Sequence, residues 1–503
     1  MGASRNTVPS TLISVKCNRC GEEYSPDTVT SLCKKCKGVL LMRYDYRQIS
    51  EEVSKESLSH RIPSVWKYSE LLPIREKSST VSLGEGGTHL HECRRLMEHL
   101  HIKRILVKDE TTNPTASFVD RGSTVVVSKA FESGSRSICC GATGNLGASL
   151  SAYAAKAGLE AVIFLPKVLD LGKLYQMIAC GAKVELASGY VAAIVRAERF
   201  GQHSFLVTSC NPYFMEGEKT TGYEIVEQMG WRLPDRIIVP MGNGGHISMI
   251  WKALTEYSEL GFIDGISTRL TGIQAAGAAP IADAYTRGDD VVVDAARVET
   301  LALDIGIESP SAGDLALDAI RSSGGTCATV SDREILDAAR LLAKSEGIFA
   351  EPAAASTIAG LKKMIETGSI GRDEEVVCVI TGAGLKDPVT ARRFVKKVRS
   401  VETVIRGVED RRFTTRLGPT KLRILEILNM QEAYGYGIRR ELEERFQISV
   451  KIPVVYQHLK ELETMNLVRR SGIREVGGRP ERYYYTLTEK GRAAVKSLRA
   501  FRS

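Results

Sequence analysis

The sequence lacks long apolar runs: no segment approaches the roughly 18 consecutive apolar residues that a membrane-spanning helix needs. Its first residues, MGASRNTVPSTLISVKC, lack a basic region followed by an apolar core, so we predict no signal peptide and expect a cytoplasmic protein. Eleven cysteines without a dense framework suit reduced thiols, not a disulfide scaffold. With 43% apolar and 25% charged residues, the composition excludes a disordered or collagenous chain.

The formal net charge of +8 is unevenly distributed along the 503 residues. Residues 416–503 contain 18 Lys and Arg against 10 Asp and Glu, whereas residues 1–415 contain 50 of each kind. All the excess positive charge therefore belongs to the C-terminal segment. A basic terminal unit on a neutral body predicts a polyanionic partner at that end alone.

Four of the cysteines form two closely spaced pairs near the N-terminus. Cys17 with Cys20 and Cys33 with Cys36 are both Cys-x-x-Cys pairs, and 12 residues separate the two pairs. Two thiolates from each tight turn can converge on one tetrahedral Zn²⁺, whereas a redox dithiol would need a single pair. Because a closed four-sulfur site leaves no open position for substrate, we predict a structural zinc in a zinc-ribbon-like module over residues 13–47.

Residues 60–399 alternate between short apolar runs and Ala-rich stretches with helical spacing. The predicted strands are RILVKDE, RSICCGATGN, EAVIFLP, KVELA, RIIVPMG, RLTGIQ and VVCVITG. The predicted helices are SFVDRGSTVVVSKAF, NLGASLSAYAAKAG, KLYQMIACG, YEIVEQMGW, GGHISMIWKALTEY and DREILDAARLLAKSEG. This alternation predicts an α/β fold with an open, mostly parallel sheet, helices on both faces and ligands at the carboxyl ends of the strands.

Three glycine-rich loops, GATGNLGAS, MGNGGH and TGAGLKD, each follow a predicted strand. The first two lead into predicted helices, whose free N–H groups can hold an anion. A tight strand-to-helix turn would explain one such loop. Three of them in one sheet favour a binding site for an anionic ligand.

These loops belong to a longer series of motifs that resembles threonine synthase, a fold type II pyridoxal-phosphate (PLP) enzyme of the tryptophan synthase β-like class. The motifs are SLGEGGTHL, VKDETTNPTASFVDRG, GATGNLGASLSAYAAKAGL, NPYFMEGEKTTGYEIVEQMGW, VPMGNGGHISMIWKAL, EPAAASTIAGL and VITGAGLKDP. The resemblance extends from the cysteine pairs to about Asp387. It implies an enzyme that converts O-phosphohomoserine to threonine and phosphate.

The resemblance also implies roles for particular residues. At the cofactor, it places Asn145 at the ring oxygen, Gly242, Asn243, Gly244 and Gly245 around the phosphate, and Thr381 at the pyridine nitrogen. At the substrate carboxylate, it places Thr143 and Gly144. Backbone donors suit a dianionic phosphate, and a neutral hydroxyl partner leaves the ring nitrogen unprotonated.

The sequence departs from the family at the position that holds the cofactor. Residues 113–122 read NPTASFVDRG where the family motif reads NPTGSFKDRG, so Val119 replaces the lysine that forms the Schiff base with PLP and shuttles protons. A valine has neither a nucleophilic nitrogen nor an exchangeable proton. Ala116, His246 and Ala383 are further departures around the same pocket. Two alternatives stay open: Lys108 or Lys386 takes over, or valine at 119 is not the residue of the natural protein.

The C-terminal segment predicts a second domain, residues 416–503, after a charged linker over residues 400–415. Three helical patterns, a hairpin and a final helix give a winged helix-turn-helix, and the residues resemble the PadR-like transcriptional regulators. The third helix would offer Lys451, Tyr456, Gln457 and Lys460 to the major groove of duplex DNA, and the wing would offer Arg474, Arg479 and Arg482 to phosphate or the minor groove. A protein-docking or dimerising module is the alternative, against which the local charge argues.

Two functional hypotheses follow. In the first, the protein is a DNA-binding regulator, and its threonine-synthase-like body senses a small anionic ligand such as non-covalently bound PLP, an amino acid or a phosphorylated amino acid. In the second, it is an active threonine synthase or related PLP-dependent lyase with a regulatory DNA-binding appendage. Val119 favours the first, because a sensor needs a pocket and a conformational change but no Schiff base. A non-catalytic assembly partner is a third possibility, and we expect a homodimer in each case.

Overall fold

The structure is a computed structural model, and it describes residues 11–26, 31–142, 144–167, 171–395, 417–474 and 482–499. The chain divides into two units, Met1–Phe394 and Val395–Ser503. The predicted linker, residues 400–415, lies outside the described residues. Among the helices of the described ranges, none is both long and apolar enough to cross a membrane.

The first unit begins with a small antiparallel sheet that carries the cysteine pairs. Its strands are β1 (Leu12–Cys17), β2 (Glu23–Tyr24) and β3 (Leu40–Tyr44), in the order β2-β1-β3. Helices α1 (Tyr46–Glu52) and α2 (Lys55–Ser59) follow. Val15, Leu40 and Met42 of this sheet are buried in the same apolar core as the body, so the cysteine module packs on the body within one unit.

The rest of the first unit alternates strands and helices. Its strands are β4 (His89–Glu92), β5 (Arg104–Asp109), β6 (Ser137–Gly141), β7 (Glu160–Pro166), β8 (Lys183–Ala187), β9 (Phe205–Leu206), β10 (Arg236–Pro240), β11 (Arg269–Ala275), β12 (Thr326–Val330) and β13 (Glu375–Ile380). Its helices are α3 (Arg94–Leu100), α4 (Val119–Glu132), α5 (Asn145–Ala157), α6 (Leu171–Ala179), α7 (Tyr190–Phe200), α8 (Pro212–Glu218), α9 (Thr220–Gln228), α10 (Gly245–Glu259), α11 (Pro280–Arg287), α12 (Gly313–Ser322), α13 (Asp332–Glu346), α14 (Pro352–Glu366) and α15 (Pro388–Val395). Short 3-10 helices are Val65–Leu71, Lys77–Ser79, Glu110–Thr112, Leu303–Ile305 and Gly384–Lys386.

The predicted α/β class with mostly parallel strands is confirmed, but the strands form two sheets where the sequence pattern suggested one. The larger sheet has the order β12-β11-β10-β13-β5-β4, and only its edge strand β4 pairs antiparallel. The smaller sheet has the order β8-β7-β6-β9, with all pairs parallel. The three glycine-rich loops therefore come from both sheets: one follows β6, and the others follow β10 and β13.

Burial explains why the central strands read as continuous apolar runs. Every residue of β10 is buried, as parallel strands covered by helices on both faces require. Helix α14 is buried along most of its length, and its Ala-rich sequence lets it lie close to the sheet. Helix α13 begins with a capping box between Ser331 and Glu334, and its C-cap is Gly347, whose φ of 73° suits glycine.

The second unit contains the predicted winged-helix elements. Helices α16 (Pro419–Met430), α17 (Gly435–Phe446) and α18 (Ile452–Thr464) precede strands β15 (Val468–Arg474) and β16 (Arg482–Leu487) and helix α19 (Glu489–Arg499). A two-residue strand, β14 (Ala433–Tyr434), pairs with β16 and was not expected. Buried Ile424, Leu442, Leu459 and Tyr485 belong to a core of its own.

Candidate functional site

A cavity of about 230 Å³ opens where loops of the two sheets of the first unit approach each other. Its lining includes residues that follow β6, β10 and β13, together with the first residues of α4 and α10. The structure places six of the predicted cofactor residues around it: Asn145, Gly242, Asn243, Gly244, Gly245 and Thr381. Gly144 precedes α5 beside the cavity, and Thr143 lies outside the described residues.

The glycine loop before α10, residues 242–245, leaves its backbone bare, and side chains do not fit at Gly242 or Gly244. A Cβ on Gly242 would lie 2.8 Å from the carbonyl oxygen of Asp304, and a Cβ on Gly244 would lie 2.7 Å from that of Ala312. Gly244 also has a φ of 91°, which favours glycine. The Asn243 side chain fixes the loop, since its Oδ1 accepts a hydrogen bond from the Ser311 N–H at 2.7 Å. Free N–H groups at a helix N-terminus form a site for an anion.

The segment around Val119 keeps a tightly held backbone. The Asp120 carboxylate accepts hydrogen bonds from the Thr115 N–H and hydroxyl at 2.6 Å and from the Ser149 hydroxyl at 2.5 Å. Val119 is the first residue of α4 and lines the cavity. Among the cavity-lining residues of the described ranges, none is a lysine. Val119, at the position where the resemblance implies the Schiff-base lysine, therefore lies at the cavity wall.

Four buried lysines lie in the surrounding structure: Lys219, which pairs with Glu216 and Glu256, and the three that follow. Lys108 donates to the Thr88 carbonyl, to Glu224 and to Gln228 at 2.6 to 2.8 Å, so its amine is fully engaged away from the cavity. Lys386 donates to the Thr115 carbonyl at 2.5 Å. Lys173 pairs with the cavity residues Asp304 and Glu351, the latter at 3.6 Å.

A carboxylate cluster that the sequence reasoning missed faces Asn145. The Asn145 Nδ2 donates to Glu351 at 3.0 Å and to Asp304 at 3.1 Å, while its buried Oδ1 has no hydrogen-bond partner in the described structure. Burial raises the pKa of Glu351 to about 7, against the opposing charge of Lys173. Glu351 begins the motif EPAAAS, which could have signalled it, whereas nothing local marked Asp304.

Of the three departures from the family pattern, His246 lines the cavity, whereas Ala116 and Ala383 bond to each other next to the segments that contain Val119 and Thr381. Ala116 has a φ of 61°, in the left-handed region that favours glycine, and its carbonyl accepts a hydrogen bond from the Ala383 N–H at 3.1 Å. His246 stacks on Phe118 with ring centroids 4.2 Å apart, and its Nε2 lies 3.0 Å from the Thr221 hydroxyl. Burial lowers the pKa of His246 to about 3, so the imidazole is neutral.

The four predicted zinc ligands converge in space. The Sγ atoms of Cys17, Cys20, Cys33 and Cys36 lie within 4.8 Å of one another, with Cys17–Cys36 at 3.5 Å and Cys20–Cys33 at 3.6 Å. A tetrahedral Zn²⁺ with Zn–S bonds of about 2.3 Å needs sulfurs about 3.8 Å apart. Gly38 permits this approach, because a Cβ there would lie 2.8 Å from the Cys17 Sγ. The donor set therefore fits one zinc ion.

In the second unit, the predicted recognition helix is α18. Lys451 is its N-cap, and Pro453 lies in its first turn, as expected. Lys451, Tyr456, Gln457 and Lys460 are all exposed. The Tyr456 ring also packs against Gly435 at the start of α17, since a Cβ on Gly435 would lie 2.5 Å from the Tyr456 Cζ.

The predicted wing is the antiparallel pair of β15 and β16. The Arg482 guanidinium lies over the Tyr434 ring, 4.7 Å from its centroid. Arg474 ends β15, and Arg479 lies outside the described residues. Arg474 and Arg482 are paired across the two strands, at the end of β15 and the start of β16.

Two family models match the chain. Residues 81–382 match the pyridoxal-phosphate dependent enzyme family. Residues 424–497 match the transcriptional regulator PadR-like family, so the C-terminal unit is a PadR-like domain.

Curated relatives and solved structures agree with the first match. The threonine synthase of Methanocaldococcus jannaschii is 44% identical over 77% of this chain and 96% of that protein, and that of Methanosarcina acetivorans is 44% identical over 79% and 98%. The structure of diaminopropionate ammonia lyase from Escherichia coli matches with a TM-score of 0.55 and 17% identity, covering 63% of this chain and 90% of that one. At that identity the structural likeness concerns the fold alone.

Proposed function

The chain belongs to the pyridoxal-phosphate dependent enzymes, with threonine synthases among its relatives, and from this premise we propose that it is a DNA-binding transcriptional regulator whose body senses a small anionic ligand. One observation carries the proposal: the described lining of the cavity contains no lysine, and Val119 stands at the start of α4. Losing general acid and base catalysis costs about 10²- to 10⁴-fold in rate, whereas ligand binding needs neither function. A body that binds without turnover suits a sensor.

The ligand side of the proposal rests on the glycine loop. Gly242, Asn243, Gly244 and Gly245 would hold the phosphate of PLP or of a phosphorylated amino acid, Asn145 and Thr381 would face the ring, and Thr143 and Gly144 would face a carboxylate. The bare backbone of the loop fits such a ligand, as does the Asn145 Oδ1, which has no hydrogen-bond partner among the described residues. PLP would supply an electron-withdrawing ring, and this chain's residues would bind and orient it without a covalent bond.

The DNA side rests on the exposed face of α18 and on local charge. Lys451, Tyr456, Gln457 and Lys460 would enter the major groove, with Arg474, Arg479 and Arg482 on the wing. The excess of eight positive charges over residues 416–503 supports a phosphate backbone as partner. We also propose a homodimer acting in the cytoplasm, since winged-helix proteins commonly read paired half-sites, and a structural zinc held by the four cysteines.

The test is whether ligand binding changes DNA affinity. A duplex selected by the protein from a random pool serves as probe, and its Kd is measured by fluorescence anisotropy with and without PLP or O-phosphohomoserine. We expect a change of about fivefold or more for at least one of them, the lower end of typical allosteric coupling. No change with either compound, at concentrations that saturate the cavity, contradicts the proposal.

A matched pair of variants locates the effect. Gly245→Ala places a methyl group in the loop, where its nearest neighbour would be the Glu218 Oε2 at 3.4 Å, so the backbone need not move. Gly189→Ala adds the same methyl group where nothing lies within 4 Å. We expect Gly245→Ala to lose the ligand effect while keeping ligand-free DNA affinity. Gly189→Ala should keep both.

The second candidate function is an active threonine synthase, or a related PLP-dependent lyase, with a regulatory DNA-binding appendage. It is favoured by the 44% identity to the Methanocaldococcus jannaschii enzyme and by the intact Asp120 contacts. It requires another amine to do what Val119 cannot. Lys173 is the best placed of Lys108, Lys173 and Lys386, because it pairs with the cavity residue Glu351. Release of phosphate from O-phosphohomoserine separates this function from the first.

A further inference from the structure

Glu218 lies beside the glycine loop, within the family motif over residues 211–231, but the resemblance assigns it no role. It is the last residue of α8, is 4% exposed and lines the cavity. Its Oε2 has no hydrogen-bond partner in the described structure. A Cβ on Gly245 would lie 3.4 Å from that oxygen. A buried, unpartnered carboxyl oxygen therefore points to the N-terminus of α10, where a phosphate would bind.

The charges around Glu218 decide its protonation. The adjacent Lys219 is directed to Glu216 and to Glu256, the latter at 3.0 Å, so it does not neutralise Glu218. Among the residues that the structure describes, the other titratable groups that line the cavity are Tyr190, Glu198, Cys210, His246, Asp304 and Glu351. None of these is a cation near neutral pH, because burial lowers the pKa of His246 to about 3. Burial without a cation raises the pKa of Glu218 well above its ordinary value.

We propose that Glu218, in its neutral form, donates a hydrogen bond to a phosphoryl oxygen that the glycine loop holds. This hydrogen bond selects ligands that carry a phosphate. The inference rests on the proposed function, since it requires a phosphate-bearing ligand at that loop. A neutral carboxyl is a donor to a phosphate dianion, whereas a carboxylate at the same place would repel it. Binding should therefore weaken as pH rises and Glu218 loses its proton.

A competing role is physically distinct. An ionised Glu218 could itself accept the loop N–H groups and exclude a phosphate, because a helix N-terminus stabilises a carboxylate as well. Removing its charge would then tighten phosphate binding. The two roles predict opposite effects of the same substitution.

The experiment measures binding of PLP and of pyridoxal, which lacks the phosphate, to the full chain by equilibrium dialysis between pH 6.5 and 9. Glu218→Gln keeps a hydrogen-bond donor of the same size, and we expect its PLP affinity at pH 6.5 to lie within about threefold of the native value. Between pH 6.5 and 9 the native protein should lose PLP affinity as Glu218 loses its proton. The Gln variant should not show this additional loss. Glu218→Leu removes the donor and should weaken PLP about tenfold at pH 6.5, as loss of a hydrogen bond to a charged group does. Pyridoxal affinity should not change in either variant.

Controls separate the possible failures. Glu366 is exposed at the end of α14, so Glu366→Gln is a control for the loss of a carboxylate. This variant should bind PLP as the native protein does. Tighter PLP binding by both Glu218 variants, or unchanged binding by Glu218→Leu, overturns the inference while leaving the ligand site in place. Absence of PLP and inorganic phosphate binding to the native protein overturns both the inference and the proposed ligand. Bound PLP without any effect on DNA affinity overturns the regulator alone.

Discussion

His246 offers a direct test of how deeply the cavity wall is buried, through the pH dependence of stability. Its imidazole stacks on Phe118, bonds to Thr221 and leaves Nδ1 buried without a hydrogen-bond partner in the described structure. Burial lowers its pKa from 6.5 to about 3, with Glu110 opposing and Arg121 adding to the shift. The folded protein therefore excludes a proton that the unfolded chain accepts below pH 6.5.

The sign and size follow from linkage. Because the folded pKa is depressed, the contribution to stability is complete above pH 6.5 and is lost as pH falls towards 3. Between pH 7.5 and 5.0, protonation of an unfolded histidine with an ordinary pKa favours unfolding by about 2 kcal/mol. Glu351 acts in the opposite direction, since its pKa is raised to about 7 and its contribution is lost as pH rises through that range.

The assay compares the native protein with His246→Asn by urea unfolding at both pH values. Trp66, Trp231 and Trp251 are the three tryptophans of the chain and all lie in the first unit, so their fluorescence follows the body and not the PadR-like domain. Glu351 contributes equally to both proteins and cancels in the difference. The native protein should lose about 2 kcal/mol more than the variant between pH 7.5 and 5.0. Equal losses would show that His246 is solvated or already protonated.

Three further predictions concern other parts of the chain. Ala116→Gly should raise the free energy of unfolding by up to about 1 kcal/mol in the same urea assay, because glycine suits the φ of 61°; a loss of stability would contradict the strain argument. Cys17→Ser should lower the zinc content of the purified protein from one per chain, and unchanged metal by elemental analysis would reject the four-sulfur site. Lys451→Ala and Lys460→Ala should each weaken duplex binding and make the fall of log affinity with log salt less steep by about 1, whereas Lys156→Ala on the body should change neither. Equal slopes for all three variants would show that the DNA interface lies elsewhere.

The sequence predicted most individual elements because local periodicity determines them. Segments such as EAVIFLP and KVELA became β7 and β8, and the winged-helix segments became α16 to α19 with their hairpin. The cysteine spacing predicted a four-sulfur cluster, since two short turns leave little freedom in how the thiols converge. In these cases the information lies within a few residues of the chain.

Long-range features were not predictable in the same way. The division of the strands into two sheets depends on which crossovers pack together, and alternation of strands and helices does not encode that choice. Asp304 reaches the cavity from a short 3-10 helix with no distinctive motif. Glu218 lies in a motif that indicated the family resemblance but gave no sign that this side chain lines the cavity. Their contacts with Asn145 and the glycine loop join segments more than 25 residues apart in the chain.

The measurement that tests the central claim most directly is borohydride reduction of the protein in the presence of PLP, followed by peptide mass spectrometry and a phosphate-release assay with O-phosphohomoserine. The native chain should carry no PLP on any single lysine in stoichiometric amount and should release no phosphate, because valine occupies position 119. Val119→Lys, the positive control, should become labelled at residue 119. Stoichiometric labelling of the native chain at Lys173, Lys108 or Lys386, with matching phosphate release, would contradict the account and establish an enzyme.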